Sequence, residues 1–113
     1  MSNQDFRKLE LIMQMVGHLH RRLDPVSLRA FLGDVDEIDL TAFRLSVIGE
    51  TTSKLSEALK SRNSEIDWPS IYGMRNVIVH DYGAIAPERL WAVFANHIDP
   101  LAEVCAKELA RFD

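Results

Sequence analysis

Apolar residues recur every three to four positions along nearly the whole chain, which is the spacing of one face of an α-helix. The first stripe runs from Phe6 to Leu23 and ends at Asp24-Pro25, because proline disfavours helical geometry in the residue before it. A short helix from Leu28 to Leu32 follows and is closed by Gly33. No segment shows strand alternation, internal repeats or low complexity. The pattern predicts an all-α fold.

Three further helices are predicted in the rest of the chain. A second long stripe runs from Leu40 to Leu59 and ends near Arg62-Asn63. The next helix opens around Asp67-Trp68-Pro69 and should stop at Gly83, since glycine takes the left-handed conformation that closes helices. The last runs from Pro87 to Leu109, and we expect a kink where proline interrupts it at position 100.

One glycine inside the second long stripe predicts how these helices pack. Gly49 weakens its helix by about 1 kcal/mol relative to alanine, a cost tolerated where another backbone must come close. The chain has 113 residues, of which 47% are hydrophobic and 27% charged, so it can bury one ordinary core. We therefore predict a single domain over residues 1–113, an antiparallel four-helix bundle with an additional short helix.

Composition also limits the location and the partners of the protein. Its first residues carry charges where a signal peptide needs an apolar stretch, and no apolar run approaches the roughly 18 residues of a membrane span. The single cysteine, Cys105, fits a reducing compartment and the spacing of a core residue. We expect a soluble cytoplasmic protein that makes no membrane contact. The net charge of -4 opposes broad phosphate neutralisation, so any RNA site must be local.

The string RNVIVHDY, positions 75 to 82, places polar and ionisable residues inside an otherwise apolar helix. At about 100° per residue, Arg75 and Tyr82 lie about 20° apart, whereas His80 lies about 140° from Arg75 and close to Asn76. Arg75 and His80 therefore cannot face one small site squarely from an ideal helix. The reach of arginine, a distorted last turn, or a second copy of the helix across a two-fold axis would bring them together.

These residue types suit the cleavage of RNA without a metal ion. Histidine carries protons in both directions near neutral pH, which His80 would do for the attacking and leaving oxygens. Arg75 offers a charged, planar set of donors to phosphate oxygens. Asn76 would orient the histidine or hold the substrate, and Tyr82 would donate to the phosphate or stack on a base.

A structural interpretation of the same string stays open. Arginine followed five positions later by histidine is expected about 0.3 times by chance at this composition, so that pair alone is weak. With the asparagine and the tyrosine included, the expectation falls to about 0.0002. In the structural interpretation, His80 stabilises a helix C-terminus and Arg75 pairs with an acid such as Glu50.

Other candidate sites are weaker. His18 and His20 lie about 200° apart on a helix, which is a poor arrangement for chelating one metal, so with His97 they are interpreted as surface residues. We predict no metal site and no cofactor. Four basic residues are interpreted as the solvated face of the first helix: Arg7, Lys8, Arg21 and Arg22. Three aromatic residues lie at core spacing: Trp68, Trp91 and Phe94.

The pattern R-N-x-x-x-H-x-Y, formed by Arg75, Asn76, His80 and Tyr82, resembles the signature of HEPN-domain proteins of the HepT-like toxin family. Further segments are similar to those of that family: DWPSIYGMRN before the pattern, IGE at 48–50, FLGD at 31–34 and LWAVFANHIDPL after it. The resemblance covers nearly the whole chain.

The resemblance implies a helical homodimer with its active cleft at the subunit interface. It also implies a metal-independent endoribonuclease whose catalytic residues are Arg75 and His80. Its implied partner is a minimal nucleotidyltransferase antitoxin that attaches AMP to Tyr82. A second class of function remains, a non-catalytic helical module that binds or positions a nucleotidyltransferase. No base-reading motif predicts which RNA is cut.

Overall fold

The structure is a computed structural model that describes residues 3–112. Four long helices and two short ones account for most of these residues. They are α1 (Asn3–Leu23), α2 (Leu28–Leu32), α3 (Val35–Ser53), α4 (Glu57–Arg62), α5 (Trp68–His80) and α6 (Pro87–Ala110), with a 3-10 turn at Tyr82–Ala84. No strand occurs in this part of the chain. The predicted all-α fold is confirmed.

Helix α3 lies at the centre of the bundle and packs on α5 and α1, and α1 packs in turn on α6. The contacts between these helices join an early residue of one to a late residue of the next, as in Arg22 with Glu37 for α1 and α3, and Phe6 with Phe112 for α1 and the chain just after α6. The long helices are therefore antiparallel. Fully buried apolar side chains from every layer fill the core: Leu9, Ile12, Leu19, Phe31, Ile48, Leu59, Leu90, Ile98 and Leu101.

The second long stripe is not one helix, and its predicted continuation to Arg62-Asn63 is wrong. Three consecutive hydroxyl groups, those of Thr51, Thr52 and Ser53, donate to carbonyl oxygens three or four residues earlier, which weakens the helix at its end. Ser56 then starts α4: it donates through its backbone N and its Oγ to the carboxylate of Asp5, at 3.0 and 2.7 Å. The apolar spacing continues from α3 into α4, but these polar contacts break the helix between Ser53 and Glu57.

Helix α5 ends at His80, so the prediction that it stops at Gly83 is also wrong. Asp81, with φ −155°, makes the last α-helical bond, from its N to the carbonyl of Val77 at 2.9 Å. Gly83 lies in the 3-10 turn, and no residue of the described range 3–112 has a positive φ. The tighter turn carries Tyr82 off the surface of α5, so the 20° angle to Arg75 does not apply.

Several packing predictions are confirmed. Phe94 is buried, and Trp68 and Trp91 are partly buried against the same core. Cys105 is fully buried, and burial raises the pKa of its thiol to about 12. Helix α6 runs through Pro100 to Ala110, and the predicted kink there stays a prediction. Within residues 3–112, none of the helices combines the length and the apolar character needed to cross a membrane.

Candidate functional site

The start of α5 fixes the register of the motif that follows. The Asp67 carboxylate accepts hydrogen bonds from the backbone N of Ser70 at 3.2 Å and from its Oγ at 2.6 Å, which caps the helix. These bonds lower the pKa of Asp67. Pro69 in the first turn has no N–H to leave unpaired. Two turns later the helix presents Arg75 and Asn76.

Helices α3 and α5 pack closely at Gly49, which confirms the predicted packing contact at this glycine. A Cβ at this glycine would lie 2.6 Å from the Cβ of Arg75 and 3.0 Å from the carbonyl oxygen of Ile71. Any larger residue at position 49 would therefore push α5 away. Because position 49 has no side chain, the Cβ of Arg75 packs directly against the backbone of α3.

Arg75 is held by one acid and one amide. Its Nε lies 3.0 Å from Oε2 of Glu50, and one of its terminal nitrogens donates to Oδ1 of Asn76 at 3.0 Å. Its guanidinium carbon lies 5.8 Å from the ring centroid of Tyr72. The ion pair proposed in the structural interpretation is therefore present, but the alignment is poor: Oε2 of Glu50 is buried and accepts no hydrogen bond within residues 3–112. Lys54 Nζ, 3.2 Å from Oε1, shares the same carboxylate.

His80 is the last residue of α5 and its side chain is exposed. No hydrogen bond or ion pair formed within the described part of the chain involves its imidazole. Its place in the last turn of α5 is the one that the structural interpretation expected for a residue that stabilises a helix C-terminus. Arg75 lies half-buried against α3, whereas His80 is exposed. No hydrogen bond or ion pair among the described residues joins the two side chains.

Tyr82 also turns towards α3. Its hydroxyl donates to Oδ1 of Asp39, and its side chain remains 41% exposed. Partial burial and the neighbouring carboxylate raise the pKa of Tyr82 to about 12. Sequence reasoning missed Asp39, which lies 43 residues before Tyr82. No local spacing marks it, and only the antiparallel pairing of α3 with α5 brings it to the motif.

The remaining candidates lie elsewhere. His97 is exposed, as predicted, but His20 is not a simple surface residue: its ring nitrogens lie 2.8 Å from Asp24 and 2.7 Å from Asp99. Arg22, although exposed, pairs with the buried carboxylate of Glu37. No group of three or more His, Cys, Asp or Glu residues that could hold a metal ion occurs among residues 3–112.

Of the four motif residues, His80 and Tyr82 are exposed, and Arg75 and Asn76 are half-buried. A cavity of about 530 Å³ lies where α5 and α6 meet α3, with a lining that includes Ile48, Ile71, Met74, Arg89 and His97. The four motif residues are not part of this lining. The exposed end of α5 and the following turn therefore form the candidate site, with Glu50 and Asp39 of α3 beside it.

Comparisons with known proteins identify the family of the chain. The sequence profile of the family described as "Ribonuclease HepT-like" matches residues 7–108. A protein of Caldanaerobacter subterraneus subsp. tengcongensis named "Putative RNase TTE0752" is 28% identical over 101 residues, which cover 89% of each chain. No solved structure matches the chain significantly. The profile covers nearly all of the sequence, and the chain belongs to the HepT-like ribonuclease family.

Proposed function

We propose that this protein is a metal-independent endoribonuclease, the toxin of a toxin–antitoxin pair, with Arg75 and His80 as catalytic residues. The proposal depends on one observation in a chain that belongs to a ribonuclease family: neither catalytic side chain is fixed by strong contacts. His80 is exposed and has no partner within residues 3–112, and Arg75 is held only by poorly aligned or neutral contacts. His80 can engage a phosphate from solvent directly, and Arg75 can do so by leaving Glu50.

The proposed reaction is an internal phosphoryl transfer. The 2'-oxygen of a ribose attacks the adjacent phosphorus, the bond to the 5'-oxygen breaks, and the products carry a 2',3'-cyclic phosphate and a 5'-hydroxyl. His80 exchanges protons with these two oxygens, since imidazole titrates near neutral pH. Arg75 donates to the phosphoryl oxygens, on which charge accumulates. Asn76, already bonded to Arg75, orients the guanidinium.

A homodimer completes the proposed site, because Arg75 and His80, five positions apart on α5, lie about 140° apart around the helix axis. Large exposed apolar side chains flank the motif, which favours burial against a second copy. Val79, beside His80, is 51% exposed, and Phe43, one turn along α3 from Asp39, is 61% exposed. Across a two-fold axis, each cleft would receive residues from both chains.

The proposed partner is a minimal nucleotidyltransferase that silences the toxin by attaching AMP to Tyr82. The exposed fraction of Tyr82 leaves its phenol reachable by another protein. The added base and negative phosphate would occupy the region where a substrate phosphate binds. Intact-mass spectrometry after incubation with the transferase and ATP detects the addition, and Tyr82→Phe should not carry it.

The test of the ribonuclease is incubation of the pure protein with RNA in the presence of a chelator. Cleavage should persist and leave cyclic phosphate ends. Arg75→Ala and His80→Ala should each lower the rate by at least about 100-fold, the scale of losing an acid–base group or a charge-stabilising donor. Arg7→Ala and His97→Ala, which remove an exposed arginine and an exposed histidine elsewhere, should cut at the parental rate.

Parental rates in Arg75→Ala or His80→Ala would show that the assigned catalytic roles are wrong. An RNA that stays intact with the parental protein while the transferase binds tightly would favour the docking module instead.

Light scattering at micromolar concentration tests the dimer. The parental protein should have twice the mass of one chain, and the double variant Phe43→Glu, Val79→Glu should have the mass of one. Leu11→Glu, which places the same charge on an apolar side chain that is 37% exposed on α1, should stay dimeric. A parental protein with the mass of a single chain would overturn the proposed interface.

A further inference from the structure

The hydroxyl of Tyr82 has a carboxylate in direct contact. Asp39, on the exposed side of α3, accepts its hydrogen bond through Oδ1. The hydrogen bond joins the 3-10 turn after α5 to the second turn of α3, which begins at Val35. Of the titratable side chains in residues 3–112, Asp39 is the one hydrogen-bonded to this phenol. The atom proposed to take AMP and a proton acceptor are thus already paired.

We propose that Asp39 is the general base for nucleotidyl transfer to Tyr82, so that the toxin itself supplies the proton acceptor for its own silencing. The inference rests on the proposed modification of Tyr82 and assigns its catalysis. The phenolic oxygen forms a bond to the α-phosphorus of ATP. The bond from that phosphorus to the bridging oxygen breaks, and pyrophosphate leaves with the electron pair. The phenolic proton passes to Oδ1 of Asp39.

A base is required because this phenol does not ionise by itself near neutral pH. Partial burial and Asp39 raise the pKa of Tyr82 to about 12, so the hydroxyl enters the reaction protonated. A carboxylate is too weak to remove the proton beforehand, but it can accept it as the new bond to phosphorus forms. The catalytic aspartate of protein kinases accepts the proton of its substrate hydroxyl in this way.

The hydrogen bond alone has a second explanation, in which Asp39 only anchors the turn. Asparagine separates the two, because its Oδ1 accepts the same hydrogen bond but does not take a proton at neutral pH. An anchor predicts that Asp39→Asn is modified normally and Asp39→Ala slowly. A base predicts that both variants are modified slowly.

The experiment measures the rate of AMP addition by intact-mass spectrometry, with a minimal nucleotidyltransferase of the proposed partner class, ATP and Mg²⁺. Asp39→Asn should lower the rate at saturating toxin by about 100-fold or more, the usual scale for a lost general base. The toxin concentration that gives half the maximal rate should stay the same, because docking is unchanged. Asp36→Asn, the same charge change at an exposed position of the first turn of α3, should be modified at the parental rate.

Equal maximal rates for the parental protein and Asp39→Asn would overturn the role of Asp39 while leaving the modification of Tyr82 standing. A change only in the half-saturating concentration would also overturn it and assign Asp39 to docking. A parental protein that gains no AMP would instead overturn the proposed modification, and the inference with it. Tyr82→Phe marks the background, and Tyr72→Phe, which removes the other tyrosine of the chain, should be modified like the parent.

Discussion

Two arginine–glutamate pairs lie at different places in the bundle, and their surroundings differ. Arg62 of α4 pairs with Glu108 of α6, whose side chain is fully buried. Both oxygens of Glu108 accept hydrogen bonds, from Arg62 at 2.6 to 3.2 Å and from Asn63 at 2.8 Å. Arg75 of α5 pairs with Glu50 of α3, whose side chain is 36% exposed. Oε2 of Glu50, the nearer oxygen, accepts no hydrogen bond in the described chain.

The difference separates a pair that holds the fold from a pair that can be opened. The bonds from Arg62 lower the pKa of Glu108, which is therefore a buried carboxylate stabilised as the anion. Removing Arg62 would leave the buried charge of Glu108 without its main partner. The Glu50 side chain is 36% exposed and Lys54 lies 3.2 Å from its other oxygen, so the carboxylate keeps a neighbouring cation when Arg75 turns away. An arginine in that state is suited to bind an incoming phosphate.

The largest expected effect comes from neutralising the two acids by the same substitution. Glu108→Gln should lower the free energy of unfolding by about 1–3 kcal/mol, because the buried amide N–H₂ cannot accept the hydrogen bonds that Arg62 and Asn63 donate to the carboxylate. Glu50→Gln should lower it by less than about 1 kcal/mol, since that pair is partly exposed. Urea unfolding monitored by circular dichroism gives both values.

Similar losses in the two variants would remove the distinction between the closed and the open pair. A loss above about 3 kcal/mol for Glu50→Gln would assign Arg75 a role in the fold. The cleavage rates of the parental protein and its variants would then have to be compared per folded molecule.

Sequence spacing was sufficient for the long helices because amphipathic helices on one core repeat their apolar residues regardless of partners. It also located the helix crossing at Gly49, since a glycine inside a helix has a local cost that only a close contact offsets. The break after Ser53 was missed, because the apolar period continues through it. The hydrogen bonds that impose the break join Ser56 to Asp5, 51 residues away.

The candidate site divides in the same way. Its motif side chains, Arg75 and His80, are visible in the sequence because they stand together in an apolar helix. Their partners on α3 are different, because the sequence indicates Glu50 as a possible acid for Arg75 but does not indicate Asp39. Nothing near Asp39 in the sequence distinguishes it from the other acids at the start of α3. Contacts across a bundle depend on how two helices are aligned, and apolar spacing alone does not fix that alignment.

A second prediction tests whether the open pair depends on the close crossing beneath it. Gly49→Ala places a methyl group 2.6 Å from the Cβ of Arg75, so α5 must shift. Overpacking costs about 1–3 kcal/mol and the better helix former returns about 1 kcal/mol, which leaves a net loss of about 1 kcal/mol. The rate of cleavage per folded molecule should fall by more, expressed as a free energy, than the free energy of unfolding does, because Arg75 itself is displaced. RNA cleavage assays beside urea unfolding measure the two effects.

Gly17→Ala is the matched control for that change. Gly17 is exposed within α1, and a Cβ there would meet nothing within 4 Å. It should stabilise the protein by about 1 kcal/mol through helix propensity and leave cleavage unchanged. If Gly49→Ala behaved like Gly17→Ala in both assays, the crossing would not position Arg75.

The smallest expected effect concerns a third ionic contact, in which His20 joins α1 to α6. Its ring nitrogens lie 2.8 Å from Asp24 and 2.7 Å from Asp99, and a neutral imidazole has only one N–H to donate. The arrangement therefore favours the imidazolium. The hydrogen bond to Asp24, with a further contribution from Asp99, raises the pKa of His20 above its ordinary value of 6.5.

Because the folded pKa is raised, the stabilisation by His20 is fully present below the unfolded pKa of 6.5 and is lost as pH rises through the folded pKa. Both carboxylates are more than 60% exposed, so the effect should stay below about 1 kcal/mol. The free energy of unfolding should therefore fall slightly more for the parental protein than for His20→Gln between about pH 5.5 and about pH 8.5. His97→Gln, at an exposed histidine, should keep the parental difference. A parental protein that loses no more stability than His20→Gln over this range would show that the contact between α1 and α6 does not depend on the charge of His20.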